Sequence, residues 1–350
     1  MTDPAPPLLR RVARKADRVA RRLQLLASIR RIHGPRRFEL APDDVVVVLL
    51  MRNSAYYLEP LFSHYRNLGV SHFVCVDNGS DDDTIEIAAR QPGTIILQSH
   101  LKIAEFEVEF RRHAAETYAR DHWVMFVDTD ELLDFEGAAT LGLPGLARHL
   151  RDRGHTALMA PMLEMFAPGP INAHAATPFE TALDTHRFYD LTRVMRYDYF
   201  DADNISFNWL ARQNTLANPA MCFMFGGVRL KVFGEMCCLT KHPLVFVGNG
   251  VWPNPHPHCP AFVRVSDAMG VLKHYKFTND PLRRDLETVR DGIVPHGADR
   301  LRVETVRDNP DISLFSQDAR EYRDVEQLYD DGFLLRSDAL SARVANARTV

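Results

Sequence analysis

The sequence lacks the features of a membrane-spanning or disulfide-bonded protein. Its longest apolar run, Val45–Met51, is far shorter than the roughly 20 residues that a transmembrane helix needs. The 350 residues include 5 cysteines, an odd number with no Cys-x-x-Cys pair, which argues against a disulfide framework and against a thiolate zinc site. No leader with a basic start and an apolar centre opens the sequence. These absences favour a cytoplasmic protein with reduced thiols.

Glycine-rich phosphate-binding loops are also missing. Neither Gly-x-Gly-x-x-Gly nor Gly-x-x-x-x-Gly-Lys-Ser/Thr occurs in the chain. A nucleotide site in this protein would therefore have to hold phosphate groups in another way, such as through a metal ion. The net charge of −4 argues against a general nucleic-acid binder, so no nucleic-acid partner is expected.

Basic residues are concentrated at the amino-terminal end. Residues 1–40 contain 11 Lys and Arg against 3 Asp and Glu, which leaves 31 basic against 43 acidic residues in the remainder. Apolar residues such as Val12, Val19 and Leu26 recur at roughly helical spacing. A helical arm packed on the acidic body and an amphipathic helix resting on anionic lipid both fit this pattern. Residues 1–35 are thus a candidate for peripheral contact with the inner membrane face, and a nucleic-acid arm is a third interpretation.

Strand and helix patterns alternate in the part that follows. The predicted strands are Val45–Met51, His72–Val76, Thr94–Gln98 and Trp123–Val127. The predicted helices between them are Tyr57–Leu68, Thr84–Arg90 and Ala104–Asp121. This order indicates βαβ units and a parallel sheet, in which ligands bind beyond the carboxyl ends of the strands.

Polar residues follow three of these strands. Arg52-Asn53 and Asp77-Asn78 come after the first two strands, and Asp128-Thr129-Asp130-Glu131 comes after the fourth. In extended backbone, Asp128 and Asp130 point to the same side, where two carboxylates repel unless a cation lies between them. Oxygen ligands of this kind suit Mg²⁺ or Mn²⁺, which commonly bind phosphate oxygens as well. The alternative explanation of the Asp-x-Asp pair is a solvated turn.

Together these pieces resemble the family 2-type glycosyltransferases of GT-A fold, in particular a bacterial subgroup with Glu after the Asp-x-Asp motif. The resemblance covers about residues 45–290, although Asn53 stands where the family usually has Glu. Further matching segments are Arg111-Arg112, Gly226–Arg229, Lys241–Leu244 and Leu272–Phe277. The resemblance implies one α/β domain with a mostly parallel central sheet flanked by helices and an irregular acceptor-side half.

The resemblance also implies an activity: metal-dependent, inverting transfer of a sugar from a nucleotide-sugar donor to a hydroxyl of a glycan or lipid-linked acceptor. The metal, Mn²⁺ or Mg²⁺, would be held by Asp128, Asp130 and His274. The residues expected at the nucleotide-sugar are Arg52, Asn53, Asp77, Asn78, Arg111, Asp128, Arg229 and Lys276.

The catalytic base is harder to place. Inversion requires a carboxylate that accepts the proton of the attacking hydroxyl. The family usually supplies it from an acidic pair 80–100 residues after the Asp-x-Asp motif, and no Glu-Asp pair occurs there. Glu235 is the favoured candidate, with Asp201 and Asp203 as alternatives. His256-x-His258 permits a zinc interpretation, but loop histidines near an acceptor fit better because no third ligand has a recognisable spacing.

The chain is expected to divide into a basic arm at 1–40, a GT-A domain at 43–290 and a helical extension at 291–350. Within the domain, 43–135 would bind the nucleotide and 136–290 the acceptor. In the second half we expect a fifth strand at Thr156–Pro161 and a tight turn at Gly226-Gly227 that leads into a strand. Two other functions remain open: a nucleotidyltransferase, and a non-catalytic carbohydrate-binding protein that keeps the sheet.

Overall fold

The computed structural model describes residues 7–291 and 297–348. The rest of the predicted arm and extension, residues 1–6, 292–296 and 349–350, lies outside the described part. The described strands are β1 Arg30–His33, β2 Val45–Met51, β3 His72–Asp77, β4 Thr94–Gln98, β5 Trp123–Val127, β6 Glu131–Phe135, β7 Ala157–Glu164, β8 Phe188–Tyr189, β9 Val194–Asp198, β10 Thr215–Leu216, β11 Cys222–Gly226, β12 Thr240–Phe246, β13 Trp252–His256, β14 Cys259–Ala261, β15 Arg264–His274 and β16 Arg320–Glu321. The described α-helices are α1 Pro7–Ser28, α2 Ala55–Asn67, α3 Thr84–Arg90, α4 Ile103–Tyr118, α5 Ala138–Asp152, α6 Phe179–Thr185, α7 Asn208–Ala211, α8 Val228–Phe233, α9 Pro281–Asp291, α10 Ala298–Asp308, α11 Val325–Asp330 and α12 Asp338–Arg348.

A mostly parallel sheet flanked by helices forms the centre of the fold. In the described residues its strand order is β1-β4-β3-β2-β5-β12-β7-β15-β10, and β6 pairs antiparallel with β15. Strands β4, β3, β2 and β5 run parallel, as do β7, β15 and β10. Strand β12 is antiparallel to both of its neighbours, β5 and β7. Every residue of β2 is buried, as its unbroken apolar sequence predicts for a central parallel strand. The predicted α/β fold class is confirmed.

The predicted strands of the first half agree with the observed ones. Strands β2, β4 and β5 have the predicted bounds, and β3 includes Asp77 in addition. The second half is more regular than expected, because β7, β12 and β15 all insert into the central sheet. One local prediction is wrong: Gly226 and Gly227 form the expected turn, with φ values of 84° and 64°, but the turn leads into helix α8.

Strands from both halves of the chain meet at one edge of the sheet. The carboxyl ends of the parallel strands β2, β3 and β5 lie there. His274, the last residue of β15, pairs with Glu164 of β7 on one side and with Glu131 of β6 on the other. Because Thr240 of the antiparallel β12 pairs with Pro161, the start of β12 lies at the same edge. Residues that are far apart in the sequence therefore meet beside the loop at 128–130.

The described part of the carboxyl-terminal extension is mainly helical and packs on the body. Helix α10 contacts α9, and α12 contacts α5. Leu340 and Val344 of α12 are buried in the main hydrophobic core. No helix of the described residues is long and apolar enough to cross a membrane.

Candidate active site

Asp128 and Glu131, on either side of the turn between β5 and β6, share one buried lysine. Lys241 Nζ lies 2.7 Å from Asp128 Oδ2 and 2.5 Å from Glu131 Oε1. Arg111 of α4 donates to the other Asp128 oxygen at 2.5 Å. Burial raises the pKa of Asp128, but Lys241 and Arg111 outweigh burial and hold that pKa well below its usual range. Asp128 is thus ionised and already balanced by two side-chain cations.

Asp130 faces the imidazole ring of His274, and the other nitrogen of that ring is hydrogen-bonded to the carboxylate of Glu164. His274 Nε2 lies 3.6 Å from Asp130 Oδ2, which is too far for a hydrogen bond, whereas His274 Nδ1 lies 2.9 Å from Glu164 Oε1. Burial lowers the pKa of His274, but the carboxylates of Glu164 and Asp130 outweigh it and raise that pKa to about 9. His274 therefore carries a positive charge at neutral pH.

A line of alternating buried charges runs from this histidine into the carboxyl-terminal extension. Arg229 Nε lies 2.9 Å from Glu164 Oε1, and Arg229 Nη1 lies 3.1 Å from Glu235 Oε1. The second oxygen of Glu235 accepts from Arg302 Nη1 of α10 at 2.7 Å. Lys276 lies near Arg302, and burial together with the neighbouring guanidinium groups lowers the pKa of its ammonium group. Glu235, the predicted base, thus has each oxygen on an arginine.

A cleft of about 640 Å³ opens next to the acidic loop. Arg284 joins the two, because its Nη2 lies 3.9 Å from Asp130 Oδ2 and its side chain lines the cleft. On the sheet side the lining residues are Arg52, Asn53, Tyr56, Asp81, Asp82 and Ile103. On the side of α9 they are Asn279, Arg283, Arg284, Glu287, Thr288 and Arg290. The cleft thus brings several guanidinium groups to the carboxyl ends of β2 and β3.

Asp77 and Asn78, predicted to contact the nucleotide, are buried at the end of β3 and do not line the cleft. The Asp77 side chain is fully buried, and its carboxylate accepts from Gly79 N at 3.0 Å and from Gln98 Nε2 at 3.0 Å. Asn78 Nδ2 donates to the carbonyl of Ser99 at 2.8 Å. Both side chains therefore hold the loop after β3 in place, and a direct contact with a ligand stays a prediction.

Asn53 is placed differently, since it both shapes a loop and lines the cleft. Its φ of 50° is in the left-handed region, which asparagine tolerates better than most residues. Its Oδ1 accepts from the backbone N–H of Asp81 at 3.0 Å, which ties the loop after β2 to the loop after β3. Arg52 and Asn53 both line the cleft, and their contact with a nucleotide stays a prediction.

Several residues of the site were missed by sequence reasoning. Lys241 lies in a segment that resembles the family, but the sequence around it predicts no role; the signal is that a lysine inside the buried strand β12 needs a buried counter-charge. Glu164 ends β7, and only the strand register brings it to His274. Arg284 belongs to a helix that the sequence pattern alone does not connect with the sheet edge.

The other predicted base candidates, Asp201 and Asp203, do not line the cleft, and His258 of the histidine pair lines a second cavity together with Glu235. The carboxylate of Asp201 accepts from the backbone N–H of Asp203 at 2.8 Å, within the loop after β9. The ring of His256 stacks on Phe207 with centroids 4.2 Å apart, and burial lowers its pKa to about 4. The nearby His258 has its Nδ1 2.9 Å from the carbonyl oxygen of Thr240. These contacts favour packing roles for the two histidines.

Asp130 and His274 are the pair best placed to hold a divalent cation. A metal-bound imidazole commonly donates its other N–H to a carboxylate, and Glu164 occupies that position. The separation of 3.6 Å between Nε2 and Oδ2 is wider than the roughly 3.0 Å between neighbouring ligands of an octahedral ion with bonds of about 2.1 Å, so the two side chains would have to move closer to bind one ion. In the described part of the chain no group of three or more His, Cys, Asp or Glu side chains could hold a metal. Further ligands would therefore come from water or a bound phosphate, as is common for Mg²⁺.

No family model matches this chain, and no curated protein matches it. Among solved structures, the chain is similar to TarS from S. aureus with 18% identity, a TM-score of 0.28 and coverage of 36% of this chain and 24% of TarS. It is also similar to glucosyl-3-phosphoglycerate synthase from Mycobacterium tuberculosis, in complex with Mn²⁺, UDP and glucosyl-3-phosphoglycerate, with 20% identity, a TM-score of 0.23 and coverage of 40% and 50%. A third match is a mycobacterial protein with 19% identity, a TM-score of 0.23 and coverage of 40% and 47%. The chain spans half or less of each of these structures, and TM-scores this low do not establish a shared fold.

Proposed function

We propose that this protein transfers a sugar from a nucleotide-sugar donor to a hydroxyl group of a glycan or lipid-linked acceptor. The observation that carries this proposal is the cleft of about 640 Å³ beside Asp130, at the carboxyl ends of β2 and β3. Ligands of open α/β sheets bind at this edge. The cleft offers guanidinium groups to a diphosphate, and amide and carboxylate oxygens to the donors of a ribose and a base.

Arg284 is the residue we assign to the diphosphate. Its Nη1 donates to the carbonyl of Thr278 at 3.1 Å and to the hydroxyl of Tyr57, and its guanidinium lies 5.5 Å from the centre of the Tyr57 ring. The guanidinium is therefore positioned before a ligand arrives, with Nη2 directed towards Asp130. A fixed cation of this kind stabilises the charge that develops on a leaving diphosphate.

We further propose that Mn²⁺ or Mg²⁺ binds between Asp130 and His274, with Glu164 fixing the imidazole. A cation at this position would neutralise the negative charge of the leaving diphosphate. Asp128 is assigned a different task, because Lys241 and Arg111 already occupy its oxygens. It would hold these two cations at the site, and it can still accept a hydrogen bond from the donor through its remaining lone pairs.

We assign the acceptor to the part of the charged line where Glu235 lies. A second cavity of about 430 Å³ lies there, lined by Gly234, Glu235, Met236, Cys237, Cys238, His258, Gly297, Ala298 and Leu301. Glu235 remains the base predicted from the sequence, but its two arginine contacts favour a structural role, and the variant Glu235→Gln distinguishes the two.

The test is a thermal-shift series with UDP, GDP, ADP and CDP, each with and without Mn²⁺. A ligand that binds the folded state raises the melting temperature, by an amount corresponding to about 2.7 kcal/mol at 100 times its dissociation constant. We expect one diphosphate to raise it, and Mn²⁺ to increase the effect. Asp130→Asn should remove the part due to Mn²⁺, whereas Asp311→Asn, which changes an exposed carboxylate outside the site, should not.

Turnover is measured in parallel as release of the nucleoside diphosphate from the matching nucleotide-sugar. Binding without release, with and without candidate acceptors, would favour the non-catalytic carbohydrate-binding alternative. Release of pyrophosphate from a nucleoside triphosphate would favour the nucleotidyltransferase. The proposal fails if no diphosphate changes the melting temperature.

A further inference from the structure

Helix α1 is strongly basic, and its second half, from Val19 to Ser28, packs on the body through one side. It contains seven Lys and Arg residues and a single acidic residue, Asp17. Leu25 is buried against the core. Arg21 donates to the carbonyl of Glu105 at 2.8 Å and lies 5.6 Å from the centre of the Phe106 ring. These contacts orient the second half of the helix on α4.

The opposite side of this half carries exposed apolar residues. Val19, Leu23 and Leu26 are 52%, 62% and 49% exposed. Their spacing of four and three residues puts them on one face of the helix. Arg22 is exposed beside them, and Ile32 of the adjacent β1 is 45% exposed. We call this set of residues the α1 outer face.

We infer that the α1 outer face docks onto the surface of an anionic phospholipid bilayer. Apolar side chains enter the boundary between headgroups and acyl chains, while arginines remain at the negatively charged headgroups. An acidic protein or a nucleic acid would satisfy the arginines but would give no reason for an apolar row facing solvent. The net charge of the chain beyond residue 40 is negative, so attraction to the membrane would also orient the molecule with α1 towards it.

This docking deepens the proposed function, because it would bring the enzyme to acceptors that are carried on membrane lipids. Membrane binding is measured without donor or acceptor, however. A failure of the docking inference would leave the donor-binding experiments unaffected, and a failure of those experiments would leave the docking result standing.

The experiment is co-sedimentation of the full chain with vesicles of phosphatidylcholine alone or mixed with phosphatidylglycerol. We expect binding to the mixed vesicles at low salt, weaker binding at high salt, and little binding to phosphatidylcholine alone. The variant Leu23→Gln with Leu26→Gln keeps every charge and should bind at least about tenfold more weakly, because two apolar side chains no longer enter the bilayer.

The matched control is Met195→Gln, which changes a 41% exposed residue of β9 outside α1. It should bind vesicles as the unchanged protein does. Because Leu23 and Leu26 are exposed, the double variant should also keep its melting temperature, which shows that lost binding is not unfolding. Equal binding by the double variant would overturn the inference. So would a concentration-dependent dimer, seen by size-exclusion chromatography, that the double variant abolishes, since a second copy would then cover the face.

Discussion

Arg302 is predicted to be the side chain that contributes most to holding the carboxyl-terminal extension against the site. It is buried, and it donates to Asp285 at 2.7 and 2.9 Å, to Glu235 at 2.7 Å and to Asp299. Replacing it by methionine leaves three carboxylates without this guanidinium. Breaking a buried ion pair from one side typically costs about 3–5 kcal/mol. Arg302→Met should therefore lower the free energy of unfolding by that amount, measured by urea denaturation.

The same contacts separate the two roles proposed for Glu235. As a structural partner, Glu235→Gln loses charge-assisted hydrogen bonds to Arg229 and Arg302, and stability should fall by about 2–3 kcal/mol while kcat changes little. As the base, the variant should lose about 10²–10⁴ in kcat. The contacts favour the first outcome. The control is Glu304→Gln, which changes an exposed residue of α10, the helix that carries Arg302.

A loss of kcat by more than about 100-fold in Glu235→Gln, with an unchanged urea midpoint, would refute this reasoning and restore the base. An unchanged urea midpoint in Arg302→Met would also refute the structural role, because the buried carboxylates would then be stable without the guanidinium.

Three further predictions concern the interior of the site. Lys241→Met should lower stability by about 3–5 kcal/mol in urea denaturation, because Asp128 and Glu131 then share no ammonium group. Burial lowers the pKa of His242 to about 4 from an ordinary value of 6.5, so the unfolded chain binds the proton first and stability should fall as the pH drops from about 6.5 towards 4. This difference in the pKa of His242 corresponds to about 3 kcal/mol of folding free energy at the acid end of the range. The loss of stability with falling pH should be smaller in His242→Gln, as measured by thermal melts at several pH values. Asp77→Ala should raise the donor KM and also lower the melting temperature, because the carboxylate holds the N–H groups of Gly79 and Ser80; a raised KM with an unchanged melting temperature would instead support direct contact with the donor.

The strands of the first half could be predicted because each is a short apolar run with clear ends. β2, buried on both faces, requires unbroken apolar residues, and the sequence has them at Val45–Met51. The turn at 128–130 was found for the same reason, since polar residues directly after such a strand must lie at the sheet edge. Strands β12 and β15 were missed because they contain Lys241, His242 and Lys273, which break the apolar pattern.

The partners of the site residues could not be read from the sequence, because they depend on strand register. Glu164 and His274 are 110 positions apart and meet only because β7 and β15 are parallel neighbours. Glu235 was chosen as an isolated carboxylate in a suitable window, and nothing local indicates the guanidinium of Arg302. A one-dimensional pattern gives the strand on which a charge lies, whereas its counter-charge is set by how strands and helices pack.

The line of charges also bears on the division of the chain into domains. From Asp130 it passes through His274, Glu164, Arg229 and Glu235 to Arg302, so it begins in the predicted nucleotide half and ends in the predicted extension. Each of these side chains is buried, and its charge is balanced by that of the next. Removing Arg302 would leave one oxygen of Glu235 without its cation and would disturb the ion pair between Glu235 and Arg229. A chain ending at residue 290 would lose Arg302 together with Leu340 and Val344 of the core. The extension is therefore better regarded as part of the folding unit that shapes the site than as an appended segment.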